Sequence, residues 1–392
     1  MPSIDELEVS GRRVLVRCDL NVPLEGGAIT DHLRIRAALP TLEALLEKGA
    51  RLAVCSHLGR PKGQVNDGLR LAPVGERLSK LLGRNVTAVR DVVGDEAKRA
   101  CASDDEVVLL ENLRFEPGEE ANDPTFADAL STMAGAYVND AFGASHRAHA
   151  SIVGPPERLP SAAGRLLVDE VSKLQRLLDD PDPPYVAVLG GAKVSDKLDV
   201  IGNLLDRVDS LCVGGAMAFT LLVARDKAVG RSLVEEDRVE DVKRILERAT
   251  QQGVEIHLPV DVVAAVEPEG GSPHETVPLD QIGDRMGVDI GPATTGEFAT
   301  TILGARTVLW NGPMGIFEIP EFSAGTKGVA TAIAEATAEG AFTVAGGGDS
   351  AAALARFGMT DVVSHLSTGG GASLELLEGK KLPGVAALMR TK

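Results

Sequence analysis

Eight short apolar runs, spread along the whole chain, constrain the fold more than any other feature. In the first half, VLVRCDLNVP (to Pro23), LAVCSHLGRP (to Pro61), VVLLENLRF (to Phe115) and AYVNDAFG (to Gly143) end in polar or charged groups. In the second half, YVAVLGGAK (to Lys193), SLCVGGAMA (to Ala218), TVLWNGPMG (to Gly315) and FTVAGGGDS (to Ser350) end in glycine or a close equivalent. Runs of this length, bounded by turn residues, predict strands buried on both faces of a parallel sheet. Helix-like segments such as IRAALPTLEALLEK and PTFADALSTMAG lie between them. That alternation gives an α/β fold of doubly wound parallel sheets with helices on both faces. Ligands of such sheets sit at the carboxyl ends of the strands. The chain therefore offers two platforms, one of Arg, His, Asp and Asn for a small anion, the other of bare backbone for a polyphosphate.

At 392 residues the chain is long enough for two domains. Leu167, Val171, Leu174 and Leu178 recur at helical spacing and lead into DDPDPP (179–184), the clearest breaker, where the boundary is expected. A net charge of −17 opposes nucleic acid and acidic membrane, and 3% aromatics leaves little to stack on single strands. An anionic substrate must then be captured by a local basic cluster. No apolar run is long enough to span a membrane, and the N-terminus lacks a signal-peptide core. Cys18, Cys55, Cys101 and Cys212 show no zinc or CxxC spacing and fit a reducing cytoplasm.

On the first platform, Asp19 and Asn21 share a face if the strand continues, and can accept from or donate to a hydroxyl. By themselves they read equally as turn formers. His57 and Arg60 flank Gly59 after the second run, Arg114 follows the third, Arg147 the fourth, and Arg36 begins a helix after the first. Any one arginine reads as surface charge. Their recurrence after strand ends in an acidic protein points to a phosphate and carboxylate site. His146 and His149 form an HxxH pair, but no third ligand has matching spacing, so a structural pair is expected rather than zinc.

On the second platform, Gly190 and Gly191 lead into a segment read as a helix start, with Lys193 and Lys197 four apart on one face. Gly346, Gly347, Gly348, Asp349 and Ser350 repeat the strand–glycine–helix device, with Asp349 a candidate Mg²⁺ ligand. Gly369, Gly370 and Gly371 give a third glycine-rich helix start that could aim a positive helix end at charge in transfer. No GxxxxGK[ST], first-strand GxGxxG, GxSxG or HExxH is present.

RCDLNVP, SHLGRP, ENLRF, FGASHRAHAS, GGAKVSDK, WNGPMGIFE, GGGDS and STGGGASLELLEG occur in one order over nearly the whole chain. In this the sequence closely resembles phosphoglycerate kinase. The resemblance implies two Rossmann-like domains joined by an interdomain helix and hinge. They would be a phosphoglycerate domain of residues 1–165, a linker of 166–184 and a nucleotide domain of 185–377, with 378–392 returning to the first. It implies that Asp19, Asn21, Arg36, His57, Arg60, Arg114 and Arg147 bind 3-phosphoglycerate or 1,3-bisphosphoglycerate. Lys197, Gly287, Asn311, Glu318 and Gly346 through Ser350 would border ADP or ATP, with Glu318 at the ribose and Asp349 at Mg²⁺. Arg36, Lys193, Gly348 and Gly371 would surround the transferring phosphoryl group in a cytoplasmic monomer. The departures are Cys18, where Val is commoner, and Ala293 in DIGPATT, where many bacterial members carry Lys. A kinase of another small carboxylate, and a binding protein that closes on an anion without chemistry, are the rival readings.

Overall fold

The computed structural model describes residues 1–390. The chain divides into two compact units, residues 1–172 together with the segment from Lys381 on, and residues 173–380. The division falls inside the helix Arg165–Asp179. The last two residues of the 378–392 tail lie outside the described residues.

In the first unit, Arg13–Cys18, Arg51–Cys55, Val86–Ala88, Val107–Leu109, Ala136–Asp140 and Ser161–Ala163 form one six-stranded sheet. All its pairings are parallel. Counted in chain order, its strands lie in the spatial order 3-4-2-1-5-6. The direction of winding thus reverses between Arg13–Cys18 and Ala136–Asp140. Period-two alternation sorts the strands' side chains. Val14, Val16, Cys18, Leu52, Val54, Val107, Leu109, Ala136 and Val138 pack on one face against Ile35, Ala38, Leu42 and Leu45 of the helix Leu33–Glu47. The opposite face carries Arg17, in register with Cys55 on one side and Asn139 on the other.

The second unit holds a parallel sheet of Tyr185–Leu189, Ser210–Val213, Glu255–His257, Thr307–Asn311, Phe342–Gly346 and His365–Leu366, in spatial order 3-2-1-4-5-6. This doubly wound order leaves a crevice at the carboxyl ends of Tyr185–Leu189 and Thr307–Asn311. A separate antiparallel sheet of Asp261–Ala265, His274–Pro278 and Met286–Ile290 packs Val263, Ala265 and Val288 around Phe322.

The helix Arg165–Asp179 buries Leu167, Val171, Leu174 and Leu177, with Leu178 only partly covered. Its first turn is capped from outside. The buried carboxylate of Asp140 accepts from the amides of Leu166 at 3.0 Å and Leu167 at 3.4 Å. Burial pushes this carboxyl up to about 7, outweighing the opposing hydrogen bonds from Thr41, Leu167 and Leu166. Among the described residues no helix is long and apolar enough to cross a membrane.

Because folding raises the Asp140 pKa, the folded protein holds a proton that the unfolded chain has released at intermediate pH. That contribution to stability is complete below the unfolded carboxyl value and disappears as pH rises through about 7. Asp140→Asn should therefore lose about 2 kcal/mol less stability than the parent between about pH 5 and pH 8. Urea midpoints at the two pH values measure this. Identical pH dependence in both proteins would mean that the carboxyl is ionised throughout.

Candidate active site

At the carboxyl edge of the first sheet the chain turns out of Cys18 into Asp19, which accepts from its own Asn21 amide at 3.3 Å and ion-pairs with Arg34. Burial works to raise the Asp19 carboxyl, but its electrostatic coupling to His57, the charges of Arg34 and Arg17 and the Arg34 hydrogen bond outweigh it and hold the carboxyl below its ordinary value. The Asn21 side-chain Oδ1 accepts from the Gly59 amide at 2.9 Å, and Arg114 donates to the Gly59 backbone carbonyl at 2.7 Å. These two bonds fix the turn that carries His57 and Arg60. His57 is buried, and its Nδ1 accepts from Arg17 across 3.2 Å. Burial drives its pKa well down, Asp19 opposes, and Arg17, Arg114 and Arg34 add to the depression, so the ring is neutral at physiological pH. Arg114 is buried and ion-paired with Glu120 at 3.1 Å. Arg147 lies near enough to Arg114 to lower its pKa, after burial and against Glu120. Arg36 and Arg60 are exposed, with no ion pair among the described residues.

Asp19, Asn21, His57, Arg114 and Arg147 thus belong to one basic neighbourhood. Sequence reading missed Arg17, Arg34 and Glu119. Arg17 and Glu119 are both 0% exposed and approach to 4.0 Å. Glu119 accepts from the Ser151 amide at 2.9 Å and its hydroxyl at 2.6 Å. The arginine inside the otherwise apolar run VLVRC was the available signal, since an interior strand position does not hold a charge without partners. His149 faces Glu119 at 3.8 Å, and its pKa falls to about 4, mainly through burial and then through Arg114, Arg17, Arg147 and His146. His146 accepts from Arg147 at 3.1 Å. No group of three metal-ligating side chains exists among the described residues.

In the second unit, two cavities adjoin at the crevice, of about 410 Å³ and about 370 Å³. Gly191, Ala192 and Asp349 line both. The first is polar and glycine-rich, and its lining includes Lys193, Lys197, Asn311, Gly347, Gly348, Ser350 and Gly371. The second is more apolar and includes Phe219, Leu233, Gly287, Ile316, Phe317 and Glu318. Gly346 lies beneath the first, its carbonyl accepting from the Asn311 amide group at 2.8 Å. Ser350 is buried and holds the Gly312 amide at 2.7 Å. The crevice needs glycine for space: a Cβ on Gly190 would meet the Pro313 carbonyl at 2.1 Å, and one on Gly312 the Gly190 carbonyl at 2.3 Å. Ala293 lines neither cavity.

One expectation is corrected here. Lys193 and Lys197 do not share a helix face, because the helix starts only at Leu198 and Lys197 is its cap residue. The Glu235 carboxylate takes the Ser195 amide at 3.0 Å and its hydroxyl at 2.6 Å, and so holds residues 193–197 in a loop. Lys193 stays exposed, while Lys197 is drawn in to bond the Asn311 side chain. Burial lowers the Lys197 pKa against Asp196, Asp349 and Glu378. The other two glycine leads do open helices, Gly348–Phe357 behind Gly347 and Gly371–Leu377 behind Gly370, each cap glycine having positive φ.

A doubly wound α/β protein with a basic strand edge in one unit and a glycine-lined crevice in the other has the parts of a phosphotransferase for small anions. Comparison with known proteins gives the family. The phosphoglycerate kinase family model matches residues 4–380. Phosphoglycerate kinase of Thermomicrobium roseum is 56% identical over 392 residues, covering 99% of each chain. That of Moorella thermoacetica is 54% identical, covering 98% of each. The structure of phosphoglycerate kinase from Coxiella burnetii superposes with a TM-score of 0.89 at 40% identity, covering 100% of this chain and 99% of that one. The chain belongs to the phosphoglycerate kinase family, phosphotransferases with a carboxyl group as acceptor.

Proposed function

We propose that the protein transfers a phosphoryl group reversibly between 1,3-bisphosphoglycerate and MgADP, giving 3-phosphoglycerate and MgATP. The observation that carries this reading is the neighbourhood of His57, Arg114 and Arg147, with Arg17 beneath them, at one sheet edge of a protein whose net charge is −17. Concentrating cations there against the overall charge has a reason if the ligand is a small polyanion. Asp19, Asn21, Arg36, His57, Arg60, Arg114 and Arg147 hold the phosphoglycerate in this reading. Glu318 and Gly287 border the nucleoside in the apolar cavity. Lys197, Asn311 and residues 346–350 border its phosphates.

The Asp349 carboxylate is exposed where the two cavities meet, with no ion pair among the described residues. A free carboxylate beside a phosphate cradle fits Mg²⁺, which fills most of its shell with water and phosphate oxygens. When bound, Mg²⁺ supplies charge neutralisation on the phosphates. In the direction of acyl phosphate synthesis the nucleophile is a carboxylate, already ionised at neutral pH, so no side chain is required as general base. What remains is positioning and stabilisation of charge on the transferring group, by Arg36, Lys193 and the backbone amides near Gly348 and Gly371. Arg36 belongs to one unit and the other three to the second. Hinge-bending closure, which also keeps water from the acyl phosphate, is therefore part of the proposal. We place the enzyme in the cytoplasm as a monomer, the former in keeping with four buried free thiols.

The direct test is ADP formation from MgATP and 3-phosphoglycerate, with the acyl phosphate drained by a coupling dehydrogenase and glycerate and acetate as controls. Turnover with 3-phosphoglycerate alone is expected. Turnover with either control would favour a kinase of another carboxylate, and ligand binding without turnover would favour a binding protein. Lys193→Ala should lower kcat about a hundredfold or more with little change in nucleotide affinity. An unchanged kcat would remove Lys193 from the transfer step. Arg60→Ala should raise the KM for 3-phosphoglycerate about tenfold or more and spare that for ATP. The opposite pattern would mean the platforms are interchanged.

A further inference from the structure

Arg17 lies next to last in the first strand yet cannot itself meet a ligand, since its side chain is wholly buried. Each guanidinium nitrogen is committed. Nε donates to the Ser151 hydroxyl at 2.9 Å, Nη1 to the Cys18 carbonyl, and Nη2 lies 3.2 Å from Nδ1 of His57. Glu119, at 4.0 Å, balances the charge. Arginine has donors and no acceptor. Nδ1 of His57 must therefore offer its lone pair to Arg17. A proton on Nδ1 would set two N–H groups against each other in a buried site, with neither satisfied.

We infer that Arg17 is a positioning residue that fixes His57 as the neutral Nε2–H tautomer, so that the ring presents a single hydrogen-bond donor to an anionic oxygen of the substrate. The inference rests on the phosphoglycerate reading for the identity of that oxygen, but not for the tautomer. The ring is only 7% exposed, and Nε2 has no hydrogen-bond partner among the described residues. The charged groups facing the ring come from three elements besides its own loop: Arg17 and Asp19 at the end of the first strand, Arg34 on the helix Leu33–Glu47, and Arg114 in the turn Leu113–Phe115. Three cations against one carboxylate disfavour a second proton on the ring. Asp19 is already engaged by Arg34, which leaves it a weak competitor for the Nδ1 position. His57 then works as a fixed donor over the neutral pH range. It delivers no proton to the acyl phosphate and removes none from the carboxylate.

The test is ¹⁵N-histidine NMR of the unmodified protein near neutral pH, with His57 assigned among the seven histidines by its loss in His57→Gln. A protonated Nε2 and a lone-pair Nδ1 are expected. A protonated Nδ1, or an imidazolium, overturns the inference whatever the activity. Arg17→Met, which keeps much of the stem and removes the donors, should mix the tautomers. It should also raise the KM for 3-phosphoglycerate about tenfold, the worth of about one hydrogen bond, and leave that for ATP within about twofold. An unmixed tautomer and unchanged KM in a folded Arg17→Met protein would take the role from Arg17. Should that variant not fold, His57→Gln and His57→Asn decide. Gln places an amide N–H near the Nε2 position and Asn near the Nδ1 position. Gln should retain phosphoglycerate binding better than Asn, and the reverse order overturns the inference. The Nε2–H tautomer in a protein that does not bind 3-phosphoglycerate would uphold the tautomer and remove the functional reading.

Discussion

Parallel pairing is the constraint on which the rest of the molecule depends. Strands that run one way deliver their chain to one edge, so every functional turn of a sheet opens on the same side. Where the winding direction reverses, helices leave in opposite directions and the edge is left uncovered. In the first unit this brings the turns after Cys18, Cys55, Leu109 and Asp140 together, although their sequence positions span more than a hundred residues. In the second unit it opens the crevice between Leu189 and Asn311. There the two chains approach so closely that Gly190 and Gly312 leave no room for a Cβ. The two edges differ in what the turns carry, and beneath each lies a six-stranded parallel sheet.

Placing charge on such an edge has a cost that the structure offsets from beneath. An arginine on the interior face of a central strand must be hydrogen-bonded and paired, because desolvating a lone guanidinium is prohibitive. Arg17 meets this through Ser151, the Cys18 carbonyl, His57 and Glu119, and Glu119 in turn takes the Ser151 amide and hydroxyl. Such a network contributes little net stability compared with an apolar core of the same volume. Its effect is to fix orientation, since every member has one satisfied arrangement. Arg36 and Arg60, by contrast, stay exposed.

The eight apolar runs are all strands, and they are the four central strands of each sheet. Burial on both faces makes such a strand uniformly apolar, and that is what a sequence displays. The edge strands Val86–Ala88, Ser161–Ala163, Glu255–His257 and His365–Leu366 have two or three residues each and carry no such signature. The antiparallel strand His274–Pro278 is mostly exposed and polar, so it too is silent. Two glycine leads open helices directly, at Gly347 and Gly370, although positive φ does not by itself decide this, since Gly191 has it too. The one misplaced start, after Gly191, fails because a distant carboxylate, Glu235, competes for the Ser195 amide. No local pattern records a partner forty residues away. The buried pair Arg17 and Glu119 escaped for the same reason, since each makes sense only beside the other.

The two edges also divide the electrostatic work. The second offers mostly backbone amides, with one recruited lysine, Lys197, whose ammonium burial makes easier to neutralise. Amide dipoles neutralise phosphate oxygens without adding titratable groups, which suits a ligand whose charge changes during transfer. The first concentrates permanent guanidinium charge around a histidine that burial keeps neutral. A carboxylate nucleophile needs no base, and an imidazolium beside it would only stabilise the ground state that must react. A neutral donor orients the same carboxylate or phosphate while stabilising that ground-state charge less. The depressed pKa of His57 is consistent with that role, and of the cations that depress it, Arg114 belongs to the proposed phosphoglycerate site while Arg17 and Arg34 act from beneath or beside it.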